Sequence, residues 1–204
     1  MSSLADRRRR TPPARPKVFP FTVRDRVTVI DDVSWATYLH LDKELYDGRR
    51  RVSFCDGKIQ IMSVSDLHEL IKTNLRCMVE AYCFLKAIPW SGRGQATRRL
   101  LDSRAGEPDE SYIFTEGAEF PDVVLEIALS SSGINKLTFW SGFPVTEVWI
   151  WRKERLEIHR WNGEAYEIRN ASEFVPGLDI ALLEKNATRR DTFAMLTEFR
   201  GAVA

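Results

Sequence analysis

The sequence is short of cysteine, of long apolar runs and of net charge, and each shortage excludes something. Its three cysteines, Cys55, Cys77 and Cys83, form no CxxC pair. An odd number at such spacings builds neither a disulfide framework nor a zinc knuckle, and fits a reducing compartment. No apolar run approaches the roughly 18–20 residues that cross a bilayer. The basic N-terminus has no apolar stretch behind it, unlike a secretory signal. The expectation is a cytoplasmic protein without membrane contact. A net charge of +1 provides no global field that would demand a polyanionic partner. G-x-S-x-G, a phosphate-cradling glycine loop and a zinc motif are all missing. Ser130, Ser131 and Ser132 have no histidine beside them in sequence.

What is present is enough chain, 204 residues, for one domain with a sizeable core. Arg7 to Arg10, then Arg15 and Lys17 among four prolines, cannot bury enough apolar surface to order themselves. Residues 1–20 therefore read as a flexible basic tail, and 21–204 as a single domain. Within it, Ser34 is placed to cap a helix that ends by Gly48. Asp56-Gly57 marks a hairpin between two short strands. Leu67, Leu70, Ile71, Leu75, Met78, Val79 and Tyr82 recur at helical spacing over 66–86, with Asp66 and Glu69 at capping-box distance. Strands follow around 93–101 and 110–114, then PDVVLEIALSSS, a short helix over 134–143, three more strands, and a helix from about 190 to 200. This order predicts a mixed α/β sheet covered by helices.

PDVVLEIALSSS, from Pro121 to Ser132, carries the chemical question. As a strand it turns Val123, Leu125, Ile127 and Leu129 to one face, and Asp122, Val124, Glu126 and Ala128 to the other. An unpaired charge so deep in an apolar strand is costly. Asp109, at the start of the preceding strand, offers a solution: an Asp and a Glu on adjacent strands can share a divalent cation, and Mg2+ accepts one or two carboxylates completed by waters and phosphate oxygens. Asp122 lies four strand residues, roughly 13 Å, from Glu126; it cannot share that cation and reads as a strand-entry cap. Lys136, on the following helix, is either a solvated lysine or a group that stabilises developing charge. His68-Glu69, in the first turn of the long helix, is explained by capping through Glu69 alone, or by an outer contact to the metal or a water of the site. Trp149, Trp151 and Trp161 lie on paired strands and belong either to the core, the commoner place for strand aromatics, or to an interface between two copies in a homodimer.

The order DGKIQIMSVSDLHE, EPDESYIF, PDVVLEIALSSSGINKL, PVTEVWIW and FVPGL resembles the Uma2 family, also called DUF820, over about Ser34 to Leu183. Members are restriction endonuclease-like proteins of the PD-(D/E)XK nuclease superfamily. The resemblance implies a mixed β-sheet flanked by helices, with antiparallel C-terminal strands added. It implies an Mg2+-dependent endonuclease acting on DNA, with Mn2+ as a substitute and Asp109 and Glu126 as metal ligands. The superfamily pattern E-x-K would place a lysine at position 128, where this chain has Ala128. Lys136 matches a lysine that the family supplies from the next helix, and Glu69 matches a helix acid of related nucleases. Arg93, Arg98 and Arg99 are expected to contact DNA phosphates beside the site. The rival expectation is a nuclease-like scaffold that has lost cleavage and serves as a nucleic-acid or protein interaction module.

Overall fold

The computed structural model describes residues 20–45, 50–131 and 133–203. Apart from Pro20, the basic tail lies outside the described residues, as do Gly48 and Ser132. Two sheets and five helices make up the described chain. The first sheet is antiparallel throughout, in the order β1 (Arg26–Ile30), β3 (Lys58–Ser63), β2 (Arg51–Cys55), β6 (Arg104–Gly106), β5 (Arg98–Leu100). The second runs β11 (Tyr166–Arg169), β10 (Arg155–Trp161), β9 (Glu147–Arg152), β8 (Val123–Ile127), β7 (Glu110–Ile113), β4 (Ser91–Gly92). Only its β8–β9 pair is parallel. A parallel pair needs a crossover, and α3 (Lys136–Trp140) sits in that connection.

The expected mixed α/β fold is therefore present, with its antiparallel C-terminal strands. One feature departs from the expectation: the N-terminal strands form a sheet of their own. The DG turn explains part of this. Asp56 and Gly57 both have positive φ, 47° and 85°, as a two-residue hairpin of this hand requires. The tight β2–β3 ribbon then recruits β1 and β6 at its edges.

Strand β8 is apolar because both of its faces are covered. Val123, Leu125 and Ile127 pack with Ile71, Leu75 and Met78 of α2 (Asp66–Leu85), and with the C-terminal helices α4 (Ile180–Asn186) and α5 (Thr192–Val203). Val124 faces Phe139, Trp140 and Phe143 around α3. Glu126 follows Val124 by two, so it points to the α3 side. Trp149 and Trp151 are buried in the first of these clusters, which rules them out as an exposed dimer surface. A third cluster forms where α1 (Trp35–Glu44), capped by Ser34, lays Tyr38 on Phe54 and Ile59.

The capping box read at Asp66 and Glu69 is corrected. Ser65 is the N-cap, accepting from the His68 N–H, and Asp66 accepts instead from Thr22. Helix α4 was not foreseen. Asn74, fully buried on α2, donates to the carbonyls of Ala187 (3.0 Å) and Arg189 (2.7 Å). Its amide thus ties α2 to the turn between α4 and α5. Asn74→Ala should destabilise the fold by about 2 kcal/mol, because both carbonyls lose a buried donor. Urea unfolding measures it, and a loss below a few tenths would show that the turn holds without Asn74.

Candidate active site

The register of β7 and β8 decides where the two acids meet. Glu110 pairs with Leu125, Ser111 with Val124 and Tyr112 with Val123. One step further along the same register sets Asp109 across from Glu126, both residues 1% exposed. Asp109 Oδ2 accepts the Ile127 N–H at 2.7 Å, which locks the carboxylate against β8. Its Oδ1 accepts from two cations, Arg51 Nη1 of β2 and His68 Nε2 of α2, the latter at 2.9 Å. His68 is fully buried, and its other nitrogen meets Asp25 Oδ2 at 2.9 Å. Asp25 also accepts the Ser65 N–H, at the start of α2. Arg51 reaches on to Glu69 Oε1 at 3.1 Å, and Lys72 closes on Glu69 Oε2 at 2.5 Å.

Glu126 has different company. Trp140 Nε1 donates to Oε1 at 2.7 Å. Lys136 Nζ stands 2.8 Å from Oε2, but off the hydrogen-bonding direction, so that buried oxygen has a charge partner and no satisfied hydrogen bond. The lysine at N1 of α3 thus points at Glu126 and away from solvent.

These surroundings push the two acids in opposite directions. Burial alone would raise Asp109, yet His68 and Arg51 outweigh it and hold the carboxyl well below the ordinary carboxylate range. For Glu126 burial dominates; with Asp109 nearby it outweighs Lys136 and Trp140, and the pKa is raised. Burial would depress His68, but its bonds to Asp109 and Asp25 raise it to about 9. At neutral pH His68 is therefore a cation that donates from both nitrogens.

Among the described residues no group of three or more His, Cys, Asp and Glu side chains is arranged to hold a metal. A cation here would have two protein carboxylates. That donor set suits Mg2+, which keeps most of its waters, and the unsatisfied Oε2 of Glu126 is the kind of atom a cation would complete. The residues fit the group.

Asp122 is a cap, as expected: its carboxylate accepts from the N–H groups of Phe114 and Thr115. Two of the three arginines have partners other than the acid pair. Arg99 is bound to Asp42 at 2.9 Å. Arg98 lies over the Phe120 ring, 5.4 Å from its centroid. Its pKa is lowered by burial and by the charge of Arg93 beside it. Asp25, Arg51 and Trp140 were not foreseen as parts of the site, and His68 was read only together with Glu69, as an outer contact. For His68 a signal existed: it precedes Ile71 by three on the buried stripe of α2.

The fold is a mixed sheet that sets an Asp and a Glu across neighbouring strands, with a lysine from the next helix beside the Glu. The chain belongs to the Uma2 family, whose model, described as "Putative restriction endonuclease", matches residues 35–189. It is similar to a solved Anabaena variabilis structure described as "a putative nuclease belonging to DUF820". The identity is 15%, with 71% of this chain and 90% of that one covered and a TM-score of 0.49. None of the curated proteins compared with the chain matches it. Among the described residues, no helix is long and apolar enough to cross a membrane.

Proposed function

We propose that the chain is an Mg2+-dependent endonuclease hydrolysing DNA phosphodiester bonds, with Asp109 and Glu126 as the metal ligands and Mn2+ able to substitute. The observation that carries this reading is Lys136 on Glu126 Oε2, at 2.8 Å. A lysine in that place makes good the loss of one at position 128. Bound between the two acids, Mg2+ would lower the pKa of a water and offset charge on the scissile phosphate. Asp109 is held rigid by Arg51, His68 and the Ile127 N–H, so its oxygens keep a fixed direction. Trp140 does the same for Glu126. Lys136 is positioned to orient the attacking oxygen and to stabilise charge as it develops. Glu69 acts one contact further out, by restraining Arg51. Arg93 and Arg98, two like charges side by side, are the arginines best placed to gain from a phosphate, whereas Arg99 is already paired.

A second reading has its own observation. Four acids, Asp25, Glu69, Asp109 and Glu126, already meet four cations, Arg51, His68, Lys72 and Lys136. A cluster balanced without metal suits a nuclease-like scaffold that binds nucleic acid or protein and no longer cleaves. Incubation of DNA with the protein in Mg2+ or in EDTA separates the two. The nuclease reading expects cleavage only with Mg2+, reduced at least about a hundredfold by Lys136→Ala, as for loss of a group that stabilises transition-state charge. Removing the lysine leaves the buried Glu126 without its cation, so the melting temperature in metal-free buffer should fall, and rates are compared at a temperature where both proteins are folded. Cleavage unaltered in Lys136→Ala would remove the lysine from the mechanism and leave the acids. Absence of cleavage in the parent favours the scaffold.

A further inference from the structure

The sheet that carries the acid pair ends in a strand with an open side. Among the described residues β11 pairs only with β10. Its Glu167, Ile168 and Arg169 are all exposed, Ile168 to 64%. Such an edge offers unpaired N–H and C=O groups to another strand, and proteins ordinarily guard it with lysine, proline or a bulge. β11 has none of these: its sequence is YEIR, and its register with β10 runs unbroken. The surrounding hydrogen bonds fix which groups point outward. In an antiparallel ladder, opposed residues alternate between pairs that exchange two hydrogen bonds and pairs that exchange none. The Asn162 N–H donates to the Ala165 carbonyl, so along the same register Glu167 and Arg169 bond to β10, and Tyr166 and Ile168 do not. Across β10, the Trp161 N–H donates to the Thr146 carbonyl, which turns His159 and Trp161 toward β9 as that alternation requires. The N–H and C=O of Ile168 therefore face the open edge.

We propose that this edge joins a second copy of the chain, β11 lying antiparallel to its own equivalent across a two-fold axis at Ile168. Charge complementarity selects this occupant and this register. The axis must fall on a residue, because one between two residues would oppose outward groups to inward ones. At Glu167 it sets two carboxylates face to face, and at Arg169 two guanidinium groups; like charges directly opposite destabilise a strand pair. At Tyr166 it leaves Glu167 opposite Ala165 of the partner subunit and uses only the end of the strand. At Ile168 it sets Glu167 against Arg169 of the partner subunit, and Arg169 against Glu167 of the partner subunit. These are non-hydrogen-bonded pairs, the closer kind, at about 4.5 Å between Cα atoms. The two isoleucines meanwhile exchange both outward backbone hydrogen bonds and cover each other's side chains. Within one chain Arg169 Nη2 already reaches Glu167 Oε2 at 2.8 Å, with both side chains about half exposed, so the dimer adds partners to charges that water still surrounds. The contact is isologous and closes after two copies. A strand this short buries less than the roughly 1,600 Å2 of a standard interface, so the dimer is weak. The homodimer surface thus lies on β11, not on the buried Trp149 and Trp151. The inference holds whether or not the acid site cleaves.

The test is sedimentation equilibrium of the full chain at low salt, up to about 100 µM, a range suited to an interface below the standard size. A monomer–dimer equilibrium is expected. Glu167→Arg or Arg169→Glu alone creates two like-charge pairs across the axis, and each should weaken association at least about tenfold. Glu167→Arg together with Arg169→Glu exchanges the charges within the same register and should restore the parent's association. Charges that act only within their own strand would leave association unmoved by all three variants. Ile168→Pro removes an N–H that β10 does not use, a place where an edge strand tolerates proline. It should leave a monomer with the circular dichroism of the parent. A parent that stays monomeric, leaving the edge to a different partner, would overturn the proposal. So would a dimer indifferent to these substitutions, or a folded double variant that fails to reassociate.

Discussion

Asp109→Asn should destabilise the metal-free protein by about 3–5 kcal/mol, the range for breaking a buried ion pair and leaving its partners uncompensated. The carboxylate is the shared acceptor of Arg51, His68 and the Ile127 N–H. An amide keeps one acceptor oxygen and turns an NH2 group toward one of those donors. Both cations then remain buried beside a neutral residue, and three elements, β2, α2 and β8, lose their common tie. The pKa direction points the same way. A carboxyl held far below its usual 3.8 stabilises the fold fully above that value, and the contribution fades as pH falls through the folded one. Urea unfolding of parent and variant in EDTA gives the difference. A loss under 1 kcal/mol would mean that Arg51 and His68 find other partners and that Asp109 is not the structural centre of the cluster.

Glu126→Gln should behave in the opposite way: cleavage is abolished, while the melting temperature in metal-free buffer stays the same or rises. Here burial and the neighbouring Asp109 raise the pKa, so the ionised group at neutral pH costs the fold stability. Gln retains an oxygen for Trp140 Nε1. Lys136 loses its counter-charge but is partly exposed and free to turn toward water. Mg2+ should raise the melting temperature of the parent by binding the native state, and that of the variant less. A markedly less stable Gln variant would make Glu126 the buried partner that keeps Lys136 in place, a structural residue and not a metal ligand. Taken together, the two substitutions separate roles that activity assays alone would merge, since both are expected to abolish cleavage.

The acid pair was legible because local patterns encode it. An apolar run over Val123–Ile127 interrupted by Glu126 marks a charge that needs a partner, and Asp109 immediately precedes the strand before it. Lys136 was legible through its place in the motif. The contacts of Arg51 and His68 to Asp109 were not, because they span 58 and 41 residues. Periodicity reports which face of an element is buried, not which distant element covers it. His68 shows the difference: the stripe on α2 places it inside, but only the fold reveals that Asp25 and Asp109 bracket it. The separate first sheet was hidden for a similar reason, since the pairing of β2 with β6 joins strands some fifty residues apart, through Phe54 and Ala105. Asp66 misled for a local reason. Ser65, one residue earlier, is as good a cap, and Thr22 takes up the Asp66 carboxylate.

The most direct test of the proposed metal site is an anomalous difference map from a crystal soaked in Mn2+. A single peak is predicted between Asp109 and Glu126, within about 2.5 Å of an oxygen from each carboxylate, with the Lys136 ammonium displaced from Oε2. An empty map in which Arg51 and Lys136 keep their places on the two acids, or a peak bound elsewhere, would contradict it.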